Sequence, residues 1–174
     1  MSETERIWDQ LQRSFEGGDA WRCPSLRDLL AAVSAPQAAA RAIAGAPTIW
    51  ELLLHATVYE DVARRRLLGE TVDTLPDENA WPKPGDTSAA AWLQAKLDFG
   101  EARRALRQAV ASFPEEKLGE TVPGREYTCY VMLHGVVEHT HYHAGQIEML
   151  MVAQGVRPSA SPMSGHRVPA AQRS

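Results

Sequence analysis

The segment from Thr128 to Gly155 most constrains what this chain can fold into. It contains no proline, begins at a threonine that can cap a helix and ends at a glycine that can stop one. Its apolar residues recur at helical spacing, so it predicts one long helix. A helix of this kind is stable mainly because its apolar face packs against other helices.

Two more long helices are predicted in the first half of the chain. The first covers residues 3–15, where apolar residues recur every four positions and two glycines follow. The second covers residues 48–68 and begins with a capping box. In that box Thr48 accepts a hydrogen bond from the first helical turn, and Glu51 reaches back to the backbone of Thr48.

A fourth long helix is predicted between residue 68 and the last helix, which begins at Thr128. It begins at Thr87 or Ser88, both of which are good capping residues, and it ends before Pro114. Residues 24–45 are rich in alanine and leucine but contain Pro36. We expect one or two short helices there.

The predicted fold is all-α, a four-helix bundle. No segment alternates as strands do, and two long connections, residues 70–86 and 114–127, do not suit a simple up-down-up-down order. The chain length suits one domain, which we place at residues 1–157. Residues 158–174 are rich in Ser, Pro and Ala, and we expect a mobile tail there.

Composition argues against several classes of protein. The net charge of −4 and the lack of a basic stripe disfavour nucleic-acid binding. No apolar run reaches the roughly 18 to 20 residues of a membrane span, and the first residues do not resemble a signal peptide. Cys23 and Cys129 are too few for a disulfide framework. We expect a cytoplasmic protein with two reduced, buried thiols.

Histidines are concentrated on the last predicted helix. Four of the six in the chain lie within ten residues. On a helical wheel with about 100° per residue, His139 and His143 share the face that carries the apolar residues. His134 and His141 fall on the opposite side. The stretch therefore predicts one inward pair and one outward pair.

The inward pair is a candidate metal site. Two imidazoles at positions i and i+4 can bind one ion, although the spacing is equally consistent with two hydrogen-bonded core histidines. Burial of imidazoles costs free energy unless each nitrogen has a partner, and a metal supplies one. His55, on the apolar face of the second long helix, is either a core histidine or the third ligand. Three neutral histidines leave coordination positions open, which is typical of catalytic metal sites.

Five residues near the three histidines each have two interpretations. Gln146 faces inward and either supports the site or links helices. Gly145 marks a close approach or has a plain packing role. Tyr59 lines a pocket or is a core aromatic, and Trp81 packs or covers the pocket from its loop. Glu138 is expected at the surface rather than as a general base.

The motifs around these histidines resemble a known family. HTHYHAGQI, residues 139–147, is similar to the His-x-x-x-His-x-Gly-Gln-Ile signature of DinB/YfiT-like proteins. IWELLLH, residues 49–55, resembles the second-helix motif of that family, and the resemblance covers residues 5–155. It implies up-down-down-up connectivity, often a homodimer, and a divalent metal, commonly zinc or nickel. The metal ligands that it implies are His55, His139 and His143.

The resemblance also bears on the reaction. Characterised relatives include S-transferases that use low-molecular-weight thiols such as bacillithiol, mycothiol-dependent isomerases and metal-dependent hydrolases. It implies first a metal-dependent thiol transferase with a small-molecule substrate. The alternatives are a hydrolase and a non-catalytic metal-binding stress-response bundle. Arg64, Arg65 and Arg66 could meet an acidic thiol cofactor if a partner chain positions them, although we expect at least two of them on a solvated face.

Overall fold

Seven α-helices make up the computed structural model, which describes residues 1–17 and 24–157. A single 3₁₀ turn precedes the last helix, and none of the helices in these ranges has both the length and the apolar character needed to cross a membrane. The all-α prediction is confirmed. The helices are α1 Glu3–Glu16, α2 Leu26–Ala31, α3 Ala35–Ala39, α4 Ile49–Leu67, α5 Asp77–Ala80, α6 Ala89–Ala111 and α7 Cys129–Ala153.

Side-chain caps set the start of each long helix. Ser2, Thr48, Ser88 and Thr128 each accept a hydrogen bond from a backbone N–H in the first turn that follows. A cap of this kind stabilises a helix by about 1 kcal/mol. In α4 the carboxylate of Glu51 also accepts from the backbone N–H of Thr48 at 2.8 Å, which completes the predicted capping box.

The connection between α4 and α6 is more ordered than the sequence predicted. Residues 70–86 were expected to form an irregular loop, but they contain the single turn α5, which contacts α4. The Nζ of Lys83 donates to the carboxylate of Glu51 at 2.9 Å. This contact ties the connection to the first turn of α4, and it brings Ala80 and Trp81 to the flank of that helix.

The four long helices form a bundle. α4 packs against α6 and α7, and α1 packs against the same two helices, so α1 and α4 are diagonal partners. Of the short helices, α2 packs on α1 and α7, whereas α3 packs on α4 and α6. Each long helix therefore has two long neighbours, and the short helices add contacts to all four.

The core of the bundle consists of two apolar clusters. The first joins α2 and α3 to the early turns of α4 and α6 and the late turns of α7, with Trp50, Trp92 and Phe99 among its members. The second joins α1 to the late turns of α4 and α6 and the early turns of α7, around Leu106 and Leu133. This placement of the helix ends supports up-down-down-up connectivity, which stays a prediction.

A buried polar layer lies between the two clusters. Glu60 of α4 and Arg103 of α6 have side chains only 2% and 1% exposed, and their charged atoms lie 2.7 Å apart. Arg103 also donates to the Oγ1 of Thr140 in α7 at 2.5 Å and to the Oγ of Ser14 in α1 at 3.5 Å. The layer therefore connects all four long helices at one level of the bundle.

Two predictions concern residues that the structure does not describe. The expected mobile tail, residues 158–174, lies outside the described residues, and so does Cys23. Cys129 is buried and free at the start of α7, as predicted. The domain boundary at residue 157 stays a prediction.

Replacing Glu60 by glutamine should destabilise the protein by about 3–5 kcal/mol, because the charge of Arg103 then stays buried without a counter-charge. The free energy of unfolding, from urea titration followed by circular dichroism, measures the effect. The double variant Glu60→Leu/Arg103→Met should recover most of the loss, since neither charge remains. Equal stability of Glu60→Gln and the wild type would contradict this account of the layer.

Candidate metal centre

Three histidines from two helices meet beside the polar layer. His55 comes from α4, and His139 and His143 come from successive turns of α7. The Nε2 of His139 lies 3.1 Å from the Nε2 of His55 and 2.9 Å from that of His143. The three candidate ligand atoms all lie within 4.8 Å of one another. The structure thus brings together the three histidines chosen from the sequence.

Hydrogen bonds on the opposite side of the rings determine where the ring protons sit. The Nδ1 of His55 lies 2.7 Å from the carbonyl oxygen of Ala80, which can only accept. The Nδ1 of His143 lies 2.6 Å from the Oε1 of Gln146. Each Nδ1 therefore carries the proton and donates it. The Nε2 of each ring is left with a lone pair directed toward His139.

The converging nitrogens cannot satisfy one another. His139 can donate its Nε2 proton to only one neighbour at a time, so at least one lone pair stays without a partner. A buried polar atom without a partner is costly. A divalent cation satisfies all three nitrogens together. Metal–nitrogen bonds of about 2.0–2.1 Å place adjacent ligand nitrogens roughly 2.9–3.4 Å apart, and the distances of 2.9 and 3.1 Å fit that range.

The surroundings keep the three imidazoles neutral. The pKa of His139 is lowered to about 3, chiefly by burial and then by the charges of His143, His55 and Arg103. Burial also lowers the pKa values of His55 and His143, and the hydrogen bonds at their Nδ1 atoms oppose this only in part. Neutral imidazole is the form that binds a metal, so protons compete weakly at neutral pH.

Two aromatic side chains contact His55. Trp81 stacks on its ring, with centroids 3.7 Å apart and planes inclined by 14°. Tyr59 packs at 4.8 Å from His55 and at 5.2 Å from His139. Trp81 therefore covers one side of the site from the loop after α5. Tyr59 lies where α4 and α7 face each other next to the site.

The other two histidines of the stretch do not join the cluster. The Nδ1 of His141 lies 2.9 Å from the carbonyl oxygen of Val137 in the same helix. His134 lies 3.3 Å from the carboxylate of Glu3 in α1, and its ring packs against Tyr130. The structure thus keeps the division into an inward and an outward pair.

The remaining predictions around the site have mixed outcomes. Glu138 is exposed, as expected. Gln146 supports the site by accepting the hydrogen bond from His143. Of the two interpretations of Gly145, the close approach is contradicted, because a Cβ built there would meet no described atom within 4 Å beyond its own stretch of α7. The carbonyl of Ala80 was missed, since a backbone acceptor has no signature in a sequence.

A cavity of about 260 Å³ adjoins the histidine cluster. His139 borders the site and the cavity, and Tyr59 lies in the same wall. Most of the remaining wall is apolar and comes from α4 and α7. These apolar residues include Val62, Ala63, Met132 and Val136.

The fold and the site define an all-α protein with three clustered histidines that could hold a divalent metal. The family model for the DinB superfamily matches residues 23–147, a span that includes all three histidines. The chain belongs to the DinB superfamily, whose proteins bind metals. No curated protein and no solved structure matches the chain significantly. The homodimer implied by the resemblance stays a prediction.

Alanine substitution of His55, His139 or His143 should reduce the bound metal from about one equivalent to a small fraction, because two imidazoles alone hold an ion weakly. Tag-free protein is loaded with zinc or nickel, desalted and measured by inductively coupled plasma mass spectrometry. Full metal content in all three variants would show that the ion binds elsewhere in the protein.

Two control variants separate ligands from neighbours. His141→Ala should keep its full metal content, because its ring bonds within its own helix. Gln146→Leu should still bind, with the dissociation constant raised about 10- to 100-fold, because the ring of His143 loses the acceptor that orients it. Loss of metal from His141→Ala would contradict the assignment of faces.

The three clustered histidines should destabilise metal-free protein as the pH falls below about 6.5, the ordinary pKa of histidine. Histidines of the unfolded chain bind protons near that pH. In the folded protein burial lowers their pKa, so they bind protons only at lower pH, and protons favour the unfolded chain. Glu60, whose pKa burial raises to about 7, opposes this loss in part in every variant. Urea unfolding in chelator from pH 7.5 to 5 measures the slope. His139→Gln should flatten it and His141→Gln should not; equal slopes in both variants would refute the explanation.

Proposed function

We propose that the protein is a metal-dependent enzyme that transfers a low-molecular-weight thiol, of the bacillithiol or mycothiol type, to a small electrophilic substrate. The observation that carries the proposal is the convergence of three neutral imidazole nitrogens at the edge of an apolar cavity. Zinc or nickel is the proposed ion, because imidazole ligands suit both.

The histidines would hold the ion through their Nε2 atoms. A divalent ion bound by three neutral histidines supplies open coordination positions, at which a thiol loses its proton near neutral pH. The carbonyl of Ala80 and the amide of Gln146 keep the rings in the orientation and tautomer that binding requires. Trp81 covers the ring of His55 and keeps water from that side of the site.

The adjoining cavity would hold the electrophile. Its apolar wall suits the carbon skeleton of a small substrate. The cavity lies next to the histidine cluster, because His139 belongs to both. In the transfer the thiol sulfur forms a bond to the electrophilic carbon. The bond to the leaving group breaks with its electron pair, and the thiol proton passes to solvent. Tyr59 lines the same cavity, and its hydroxyl would donate a hydrogen bond to a polar group of the substrate.

The test is a thiol-dependent turnover assay. Protein loaded with zinc or nickel is mixed with bacillithiol, mycothiol, coenzyme A or glutathione and with 1-chloro-2,4-dinitrobenzene, and the thioether is measured by absorbance and mass spectrometry. We expect turnover with at least one thiol. It should vanish on chelation and return when metal is restored, and His139→Ala should abolish it.

Controls separate this activity from its alternatives. His141→Ala should keep the rate within about twofold, since mutations outside the machinery change activation free energies little. Metal-dependent cleavage of p-nitrophenyl acetate without any thiol would instead make the protein a hydrolase. Metal binding without either reaction would leave a non-catalytic metal-binding bundle, and the transferase proposal would fail.

A further inference from the structure

Arg66 differs from the two arginines that precede it in α4. Arg64 pairs with Asp61 and Arg65 pairs with Glu70, both at the surface. Arg66 is only 9% exposed, and in residues 1–17 and 24–157 no carboxylate lies within 4 Å of its guanidinium. Arg64 and Arg65 therefore lie on the solvated face that was expected for at least two of the three arginines. Arg66 is a buried cation.

The hydrogen bonds of Arg66 go to neutral groups. Its Nη2 donates to the carbonyl oxygen of Val72 at 2.7 Å, and its Nε donates to the same oxygen at 3.2 Å. Its Nη1 donates to the hydroxyl of Tyr127 at 2.8 Å. A guanidinium has five N–H groups, so Nη1 keeps one proton for a further acceptor. These bonds tie the loop after α4 to the segment before α7, but they do not neutralise the charge.

A second guanidinium reaches the same point. The Nη2 of Arg125 donates to the carbonyl oxygen of Val72 at 2.7 Å, and its Nε is buried without a hydrogen-bond partner among the described residues. The charge of Asp73 acts on Arg66, but its carboxylate lies beyond ion-pair distance. Two positive charges thus meet at one carbonyl oxygen, and neither has a carboxylate within ion-pair distance among the described residues.

Of these two arginines, Arg66 borders the cavity that adjoins the histidines. Tyr127 also borders the cavity, as do Tyr59 and His139. The cavity therefore combines an apolar wall, a buried cation with a free N–H, two phenol hydroxyls and, elsewhere on its lining, a histidine of the candidate metal centre.

We propose that this cavity binds small apolar carboxylates, whose carboxylate pairs with Arg66 beside the hydroxyls of Tyr127 and Tyr59. The apolar body of the ligand fills the wall between α4 and α7. The volume of about 260 Å³ lies below the range of roughly 300–1,000 Å³ that is common for ligand pockets, which favours a small molecule. The proposal deepens the function proposed above, because it names the substrate class of the same site. The binding of the carboxylate itself needs neither metal nor thiol.

The test compares two ligands of nearly the same shape, one with a carboxylate and one with a neutral amide at the same end. Isothermal titration calorimetry of metal-free protein, kept in chelator, measures the dissociation constants of 3-phenylpropionate and 3-phenylpropanamide. We expect the carboxylate to bind about tenfold or more tightly than the amide, because a charge-assisted pair with a guanidinium is stronger than a neutral hydrogen bond. Equal dissociation constants, or no binding of the carboxylate, would overturn the proposal.

Matched variants locate the effect. Arg66→Met should remove the preference for the carboxylate, whereas Arg65→Met, which removes the same charge at the surface, should keep it. Tyr127→Phe deletes one hydroxyl without removing the charge, and it should weaken the carboxylate severalfold and the amide less, because a hydrogen bond to a charged acceptor is the stronger one. It serves as the decisive variant if Arg66→Met does not fold. A preference that survives in Arg66→Met, or in Tyr127→Phe at full strength, would contradict the assignment.

Metal-loaded protein provides the last comparison. A carboxylate that binds only after metal loading, and equally well in Arg66→Met, coordinates the ion and overturns the proposal. Failure of thiol transfer together with an intact, Arg66-dependent carboxylate preference would refute the proposed function alone. The opposite result, transfer without the preference, would refute only this inference.

Discussion

The ion pair between Glu60 and Arg103 fixes the axial register of the helices in this bundle. The distances between the clustered histidines depend on that register. Arg103 also holds Thr140, the residue that follows His139, so α4 and α7 are locked through a common partner. A slide of one helical turn, about 5.4 Å, would separate the Nε2 atoms of His55 and His139, which lie 3.1 Å apart. Apolar packing alone specifies such a register less strictly than a buried pair that must remain satisfied.

The histidine cluster and the neighbouring cavity differ in the charge of the ligand that each favours. Burial lowers the pKa values of the three histidines, so their Nε2 lone pairs remain available to a cation at neutral pH. On the same cavity lies Arg66, a buried cation with no carboxylate within ion-pair distance among the described residues. The histidine cluster thus favours a cation, and the region around Arg66 favours an anion. A ligand that lies between them can be oriented by both.

Much of this arrangement could be predicted from sequence because it depends on helical periodicity. The caps at Thr48 and Thr128 and the wheel positions of the histidines are local properties, and the structure reproduces them. The carbonyl of Ala80 and the stacking of Trp81 depend on the path of a loop, which periodicity does not describe. Arg66 falls about 20° from His55 on the same wheel. It could have been found as a charge on an apolar face, but it stands in a run of three arginines.

The capping box of α4 reaches further than the start of a helix. The carboxylate of Glu51 accepts from the backbone of Thr48 and from Lys83, two residues beyond the Trp81 that stacks on His55. One buried side chain therefore anchors both the helix that carries a histidine and the loop that carries its hydrogen-bond acceptor. Through Lys83 the segment after α5 contacts the first turn of α4, the helix that carries His55. Displacement of Glu51 would therefore disturb two contacts of His55 at once, its acceptor Ala80 and its stacking partner Trp81.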